Sequence, residues 1–221
     1  IYSFVDDGCG IVANVVAPNN VCNNLPNNIH TIGFRQAGQL MGLDYRGEYY
    51  HQFGDAQGDA IAAATGGTVG VDREAYMFGV RVGKAFKNVG MKPSITLWYD
   101  YLSGTSDNDG RNNEHKTFDT LYDTGHKFYG LMDMFTAANG GATNQLGLQD
   151  LAVKVKLSPM PGWTFKADYH WFYTAEGMNA NTVQSTSVSS ALTTGVGRGD
   201  GTDNSLGNEL DLTLVNKYNA N

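Results

Sequence analysis

The stretch Asp150-Leu-Ala-Val-Lys-Val-Lys-Leu157 followed by Ser158-Pro-Met-Pro-Gly162 and Trp163-Thr-Phe-Lys-Ala-Asp-Tyr-His-Trp-Phe-Tyr173 decides the fold. In its first part Leu151, Val153, Val155 and Leu157 take every second position, with Ala152, Lys154 and Lys156 between them. Period two is the repeat of a strand with one apolar face. Pro and Gly then stop the strand and supply a turn. Beyond it Trp163, Phe165, Ala167, Tyr169, Trp171 and Tyr173 share one side, and Thr164, Lys166, Asp168, His170 and Phe172 share the other. The aromatic residues gather near the strand ends, which is the layout of an interfacial girdle on a membrane barrel.

Further strands follow from the same alternation. Leu43 to Phe53 puts Leu43, Tyr45, Tyr49, His51 and Phe53 against Asp44, Arg46, Glu48, Tyr50 and Gln52. Tyr76, Phe78, Val80 and Val82 oppose Met77, Gly79, Arg81 and Gly83, and Ile95, Leu97, Tyr99 and Tyr101 oppose Ser94, Thr96, Trp98 and Asp100. Leu210, Leu212 and Leu214 alternate with Glu209, Asp211 and Thr213. Ile29 to Leu40 alternates weakly, and Ile1 to Val5 reads as the tail of a strand, giving about eight strands in one domain over residues 1–221. Short turns are expected at 41–42, 88–92 and 158–162, and long loops at 6–28, 54–74, 103–149 and 174–208, with Ala60 to Ala64 suiting a turn of helix. Alternation alone fits a soluble sandwich or lipocalin-like barrel with its apolar face inward. Tight turns at one end and long loops at the other favour an antiparallel transmembrane β-barrel with extracellular long loops.

Composition agrees. The 221 residues are 41% apolar, with 28 Gly, 12 Tyr and only 5 Pro, a mixture suited to strands and Gly-rich loops. No window approaches the roughly 18–20 apolar residues of a spanning helix. The net charge of -7 argues against nucleic acid as a partner. The chain begins at Ile1 and reads as stopping in mid-strand at Asn221, so a fragment of a longer mature barrel is expected.

The polar faces carry Arg35, Arg46, Arg81, Lys154, Lys156 and Lys166 against Asp44, Glu48, Asp100, Asp168, Glu209 and Asp211. So many charges require dense pairing or a hydrated lumen, and an eight-stranded barrel has room only for side chains. These residues are therefore expected to line the lumen of a larger barrel and set its selectivity. Acid pairs such as Asp44 and Glu48 share a face with Arg46 and read as ion-pair ladders rather than catalytic dyads. No Ser-His-Asp order, P-loop or nucleotide fingerprint supports an enzyme. Gly125-His126-Lys127-Phe128 lies in a loop long enough to enter the pore, with His126 and Lys127 as its constriction residues or as anchors to the wall. Cys9 and Cys22 are either free thiols or a small disulfide clip, which an extracytoplasmic setting favours and which would stabilise the loop by roughly 3 kcal/mol. Asp107-Asn108-Asp109-Gly110, with Glu114 and Asp119, offers oxygen ligands for Ca²⁺ but lacks the EF-hand order, so a solvated turn is the better reading and no cofactor is expected. His115 and His126 flank that loop and read as hydrogen-bonded loop residues.

The run Phe118-Asp-Thr-Leu-Tyr-Asp-Thr-Gly-His-Lys-Phe-Tyr-Gly-Leu-Met-Asp-Met-Phe135 resembles a signature of the alginate-export family of outer-membrane porins. Thr31-Ile-Gly-Phe-Arg35, Gln52-Phe-Gly54 and Asn208-Glu-Leu-Asp-Leu212 also resemble strands of that family, over about Thr31 to Asn216. The resemblance implies a monomeric barrel of roughly eighteen strands in the bacterial outer membrane. It also implies passive ion, solute or polymer transport through an electropositive lumen. This polar face carries about as many acids as bases, so a porin for small polar or anionic solutes fits it as well as an exopolysaccharide exporter. A surface protein whose barrel anchors adhesive loops, with a partner on those loops, is the other class.

Overall fold

The structure, a computed structural model, describes residues 1–6, 28–56, 71–106, 109, 114–121, 128–135, 143, 145–179, 197–198 and 203–217. Its elements are β1 (Tyr2–Asp6), β2 (Asn28–Leu40), β3 (Leu43–Ala56), β4 (Val71–Ala85), β5 (Ser94–Leu102), β6 (Glu114–His115), β7 (Leu148–Leu157), β8 (Trp163–Asn179), β9 (Gly197–Arg198) and β10 (Asp203–Asn216). They form one sheet in the order β1-β2-β3-β4-β5-β7-β8-β10, with β6 added to β4 and β9 to β8. Every pair in the main path is antiparallel. The sheet is an open meander whose free edges, among the described residues, are β1 and β10.

Local chemistry sets the tight connections. Met41 and Gly42 both hold positive φ, 53° and 77°, so a two-residue hairpin closes directly on the Leu40–Leu43 pair. At the β7–β8 turn Gly162 takes φ 80°, and Trp163 N–H donates to the Met160 carbonyl at 3.1 Å. The strands run further towards the long connections than alternation indicates: β3 continues to Ala56, β4 begins at Val71, β8 reaches Asn179 and β10 starts at Asp203. Cross-strand pairing such as Asn28–Asp55 and Asp55–Asp72 holds these polar and Gly-rich ends extended, although they carry no period-two hydrophobic signal. Ala60–Ala64 lies outside the described residues.

Burial along the strands is the reverse of a soluble domain. On β4, Arg73, Ala75, Met77, Gly79, Arg81 and Gly83 are buried, while Tyr76, Val80 and Val82 between them are exposed. On β10, Glu209 and Asp211 are buried while Leu210, Leu212 and Leu214 are about 60% exposed, at 58%, 62% and 63%. The apolar side chains thus face outward and the ionic ones face in. An apolar outer surface of this extent belongs against hydrocarbon. Aromatic rings run across it from strand to strand: Phe34 to Tyr49 at 6.1 Å, Tyr49 to Tyr76 at 6.5 Å, Tyr76 to Tyr101 at 5.7 Å and Phe78 to Tyr101 at 5.2 Å.

The only apolar core among the described residues sits on the inner face, at the long-loop half. Ala75 and Met77 of β4, Leu102, Leu148 and Phe172 pack there with Phe118, Tyr129 and Phe135 from the β5–β7 connection. The described parts of that connection therefore pack on this face.

Candidate functional site: the charged inner face

The register arranges inner-face side chains in rows that cross the sheet. Arg35, Glu48, Gly79, Asp100, Asp150 and Phe172 form one row of successive cross-strand partners. One step nearer the short turns come Arg46, Arg81, Trp98, Ala152, His170 and Glu209. Asp44, Gly83, Thr96, Lys154, Asp168 and Asp211 follow, and then Ser94, Lys156, Lys166 and Thr213. Like charges face each other directly within rows, as Asp100 faces Asp150 and Lys156 faces Lys166. Such pairs destabilise a sheet unless opposite charges lie on the diagonals.

For the Arg and Asp positions, neighbours along the strand and on the diagonals supply them. Arg46 Nη2 bonds both Glu48 oxygens at 2.7 and 2.8 Å. Arg81 Nη2 lies 3.3 Å from Glu48 Oε1 and 3.3 Å from Asp100 Oδ2, which also accepts from Trp98 Nε1 at 2.7 Å. The Arg81 guanidinium stacks on Trp98, 3.3 Å from the ring centroid, and Lys154 Nζ lies 4.7 Å from the same ring. Delocalised arginine suits this stacked, two-acid position better than lysine would. Gly79 makes the cluster possible, because a Cβ there would stand 2.5 Å from Asp100 Oδ1.

A second cluster centres on His170, which is fully buried. Its Nδ1 is 2.8 Å from Asp150 Oδ1, its Nε2 is 3.2 Å from Lys154 Nζ and 3.9 Å from Asp211 Oδ2, and Lys154 also pairs with Asp168 at 3.3 Å. Arg35, Lys156 and Lys166 stay exposed on the same face. By register, the charged residues whose alternation assigned them to the polar side share one face of the sheet. Glu48, Arg81, Asp100, Glu209 and Asp211 are buried there in polar contacts.

The β5–β7 connection is fastened across these rows. Gln52, fully buried, donates to the Asp119 carbonyl at 2.7 Å and accepts from Asp119 N–H at 2.8 Å. Ser103 Oγ donates to the Lys116 carbonyl, and Thr105, Thr117 and the Gln145 carbonyl form a buried chain at 2.6–2.8 Å. Further along, Met132 N–H donates to Glu209 Oε1 at 2.9 Å and Leu131 N–H to Asp211 Oδ2 at 3.2 Å. Gly130, at φ 86°, lets the chain approach so closely that a Cβ would collide with the Glu209 carboxylate. Phe128 meets Trp98 edge-on at 6.3 Å, and Phe135 lies 4.7 Å from Phe172. The segment 128–135 accordingly spans from β5 to β10 over the charged face.

His126 and Lys127 directly precede that segment but lie outside the described residues, as do Cys9, Cys22, Asp107, Asn108 and Gly110. Asp109 is held by Lys116 Nζ at 2.7 Å and by Ser106, while Glu114 also meets Lys116 at 2.8 Å. Partial burial works to raise the Asp109 carboxyl, but the hydrogen bonds from Lys116 and Ser106 outweigh it and hold the carboxyl below its ordinary value. Its hydrogen bonds to Asp109 and Glu114 raise Lys116. Asp119 spends its backbone on Gln52 and its carboxylate on Leu121 N–H, at 2.7 Å. Among the described residues no group of three metal-ligating side chains converges.

The His170 cluster went unread in the sequence, and so did the particular contacts that dock 114–121 and 128–135, although a loop long enough to enter the pore was expected there. The signal for the docking was present as apolar residues, Met77, Leu102, Leu148 and Phe172, at positions of the polar face, which the described parts of the connection cover.

An antiparallel meander that turns hydrocarbon-like side chains outward and ionic rows inward is barrel wall of the transmembrane class. The sequence model of the alginate export family matches residues 19–221, and the chain belongs to that family. This is a family of porin-like outer-membrane transport proteins rather than enzymes. No curated protein matches the chain.

Proposed function

We propose that this chain forms part of the wall of a bacterial outer-membrane channel through which a small polar or anionic solute or an exopolysaccharide passes passively. Its outer surface meets outer-membrane lipid, its short turns face the periplasm and its long loops face outward. The observation that carries the reading is the inward set of ionic rows crossed by the segment 128–135. In lipid every backbone group needs a partner, so further strands must close the wall beyond β1 and β10. Arg35, Arg46, Lys156 and Lys166 retain exposure to the concave side and would meet the solute, with His126 and Lys127 at the constriction. Arg81, stacked and paired, holds the wall together.

The test is single-channel conductance of the full-length protein in planar bilayers. Arg46→Glu and Lys156→Glu should shift the preference from anions towards cations without abolishing conductance. Confirmed insertion with no conductance in any variant would instead make the barrel an anchor for its loops.

A further inference from the structure

Each of the three tight turns presents a methionine at its tip: Met41 is 93% exposed, Met91 57% and Met160 56%. Two of them are also in the left-handed region, Met41 at φ 53° and Met91 at φ 62°, which costs a side chain roughly 1–2 kcal/mol. At the first position of a two-residue hairpin, Asn fills this conformation at lower cost and stays polar. Neither exposure nor strain is required to make the turns.

The surroundings are basic although the chain is acidic overall, at -7. Lys84, Lys87, Lys92, Lys156, Lys166 and Lys217 lie towards this end; of the carboxylates in the nearest inner-face row, Asp44 accepts from Gln39 at 2.6 Å and Asp168 is paired with Lys154 at 3.3 Å, while Asp211 accepts from Leu131 N–H. Among the described residues no carboxylate forms an ion pair with Lys87, Lys92 or Lys217. An open basin of about 520 Å³ lies between the turns, bounded by Lys92, Pro159, Met160, Trp163 and Lys217. Its walls are stitched together: Ser158 N–H donates to the Met91 carbonyl at 2.6 Å, and Lys217 N–H donates to the Gly162 carbonyl at 2.7 Å. A preformed surface loses little entropy when a partner binds.

Spacing narrows the partner. The three hairpin tips are separated by two strands each, roughly 10 Å at the usual inter-strand distance. Seven residues of α-helix rise about 10.5 Å. Methionine adapts to varied apolar partners, and bare lysines at the rim call for carboxylates. We infer that the short-turn end is a docking surface for an acidic amphipathic helix of a second protein. Apolar residues at i, i+7 and i+14 sit on Met41, Met91 and Met160, and flanking carboxylates meet Lys87, Lys92 and Lys217. The partner's periplasmic location rests on the topology proposed above.

The test places p-benzoylphenylalanine at positions 41, 91 and 160, one at a time, in the full-length protein in native outer membranes. After irradiation, mass spectrometry should map all three adducts to a single helix of the same protein, at sites about seven residues apart, flanked by Asp or Glu. Lys87→Glu, Lys92→Glu and Lys217→Glu together should lower the adduct yield at least about tenfold, the loss of roughly 1.4 kcal/mol, while the barrel keeps its heat-modifiable gel mobility. Adducts to phospholipid or polysaccharide alone, to a helix lacking acidic residues, or to nothing would overturn the inference. Topology is read separately: labelling of Met41→Cys by an impermeant maleimide on intact cells would refute the periplasmic placement, while the adducts still decide docking.

Discussion

Gln52 is the side chain on which the inward-folded connection depends most directly. Its amide makes a two-way bridge to the backbone of Asp119, at 2.7 and 2.8 Å, and a third bond to Thr31 Oγ1 at 3.3 Å, all in full burial. Gln52→Ala removes two good hydrogen bonds and strands the Asp119 N–H and carbonyl. A net bond is worth about 0.5–1.5 kcal/mol and an unpaired buried group costs about 1–3 kcal/mol. Allowing for relaxation, the loss should be about 2–4 kcal/mol, concentrated in residues 114–121. Hydrogen exchange of the reconstituted protein reads this locally, as roughly 30- to 1,000-fold faster exchange in that segment, with the strand pairs of β7 and β8 little changed. Gln52→Glu separates geometry from volume. Its carboxylate still accepts from Asp119 N–H but repels the Asp119 carbonyl, so it should fall between wild type and Gln52→Ala. Wild-type exchange at 114–121 in Gln52→Ala would refute the argument that this amide holds the segment down.

Three further outcomes are expected. Leu97 is exposed between Val82 and Val153 on the outer face, so Leu97→Arg should cost about 2–4 kcal/mol in denaturant titrations of the barrel in vesicles, while inward-facing Thr96→Arg should cost clearly less. Gly130→Ala, forced against the Glu209 carboxylate at a positive φ, should loosen 128–135 by about 1–2 kcal/mol and give a larger or noisier conductance than wild type. The Asp109–Lys116 pair sets a pH window. Asp109 is held below its ordinary value, so its contribution is complete above about pH 4 and fades as pH falls through the lowered value. Lys116 is raised, so its contribution is complete below about pH 10 and fades only above that. Exchange protection near residues 109–116 should therefore stay flat from about pH 5 to 9, after correction for intrinsic rates, and Asp109→Asn should abolish the acid-side loss.

The strands were legible wherever a sequence alternates strongly, as in Leu151–Leu157 and Leu210–Leu214, because one face meets an apolar medium and the other does not. Which medium lay on the apolar side was open to alternation and is visible in burial: Leu212 and Leu214 are exposed while Glu209 and Asp211 are not. Strand ends at Gly54–Ala56 and Asp203–Ser205 were illegible, since pairing with a neighbour rather than side-chain pattern keeps them extended. The rows of charge could not be assembled beforehand because they depend on register. Neither Trp98 nor His170 looks special in its own strand, yet register places Trp98 beside Arg81 and His170 diagonal to Asp150 and Lys154. The family-like run Phe118–Phe135 was conspicuous, but that its described parts are tied to the inner face shows only in contacts such as those of Gln52, Glu209, Asp211 and Phe172.

The alternation of sign among the rows bears on what this wall can contribute to transport. A polyanion sliding past Lys156 and Lys166 next meets Asp168 and Asp211, then Arg46, then Glu48 and Asp100. Neutralising pairs already occupy most of these charges: Arg46 is committed to Glu48, and Lys154 to Asp168. The field along the path is therefore short-ranged, and within a Debye length of roughly 8–10 Å successive rows largely cancel. Attraction for an anion would come from the exposed Lys156 and Lys166 nearest the short turns, not from a continuous basic track. Fixed charges at an entrance change occupancy and entry rate but do no work on a solute that passes through, so they cannot set the direction of net passage. In the proposed channel, direction would come from the solute's own gradient or from whatever delivers it to the short-turn end.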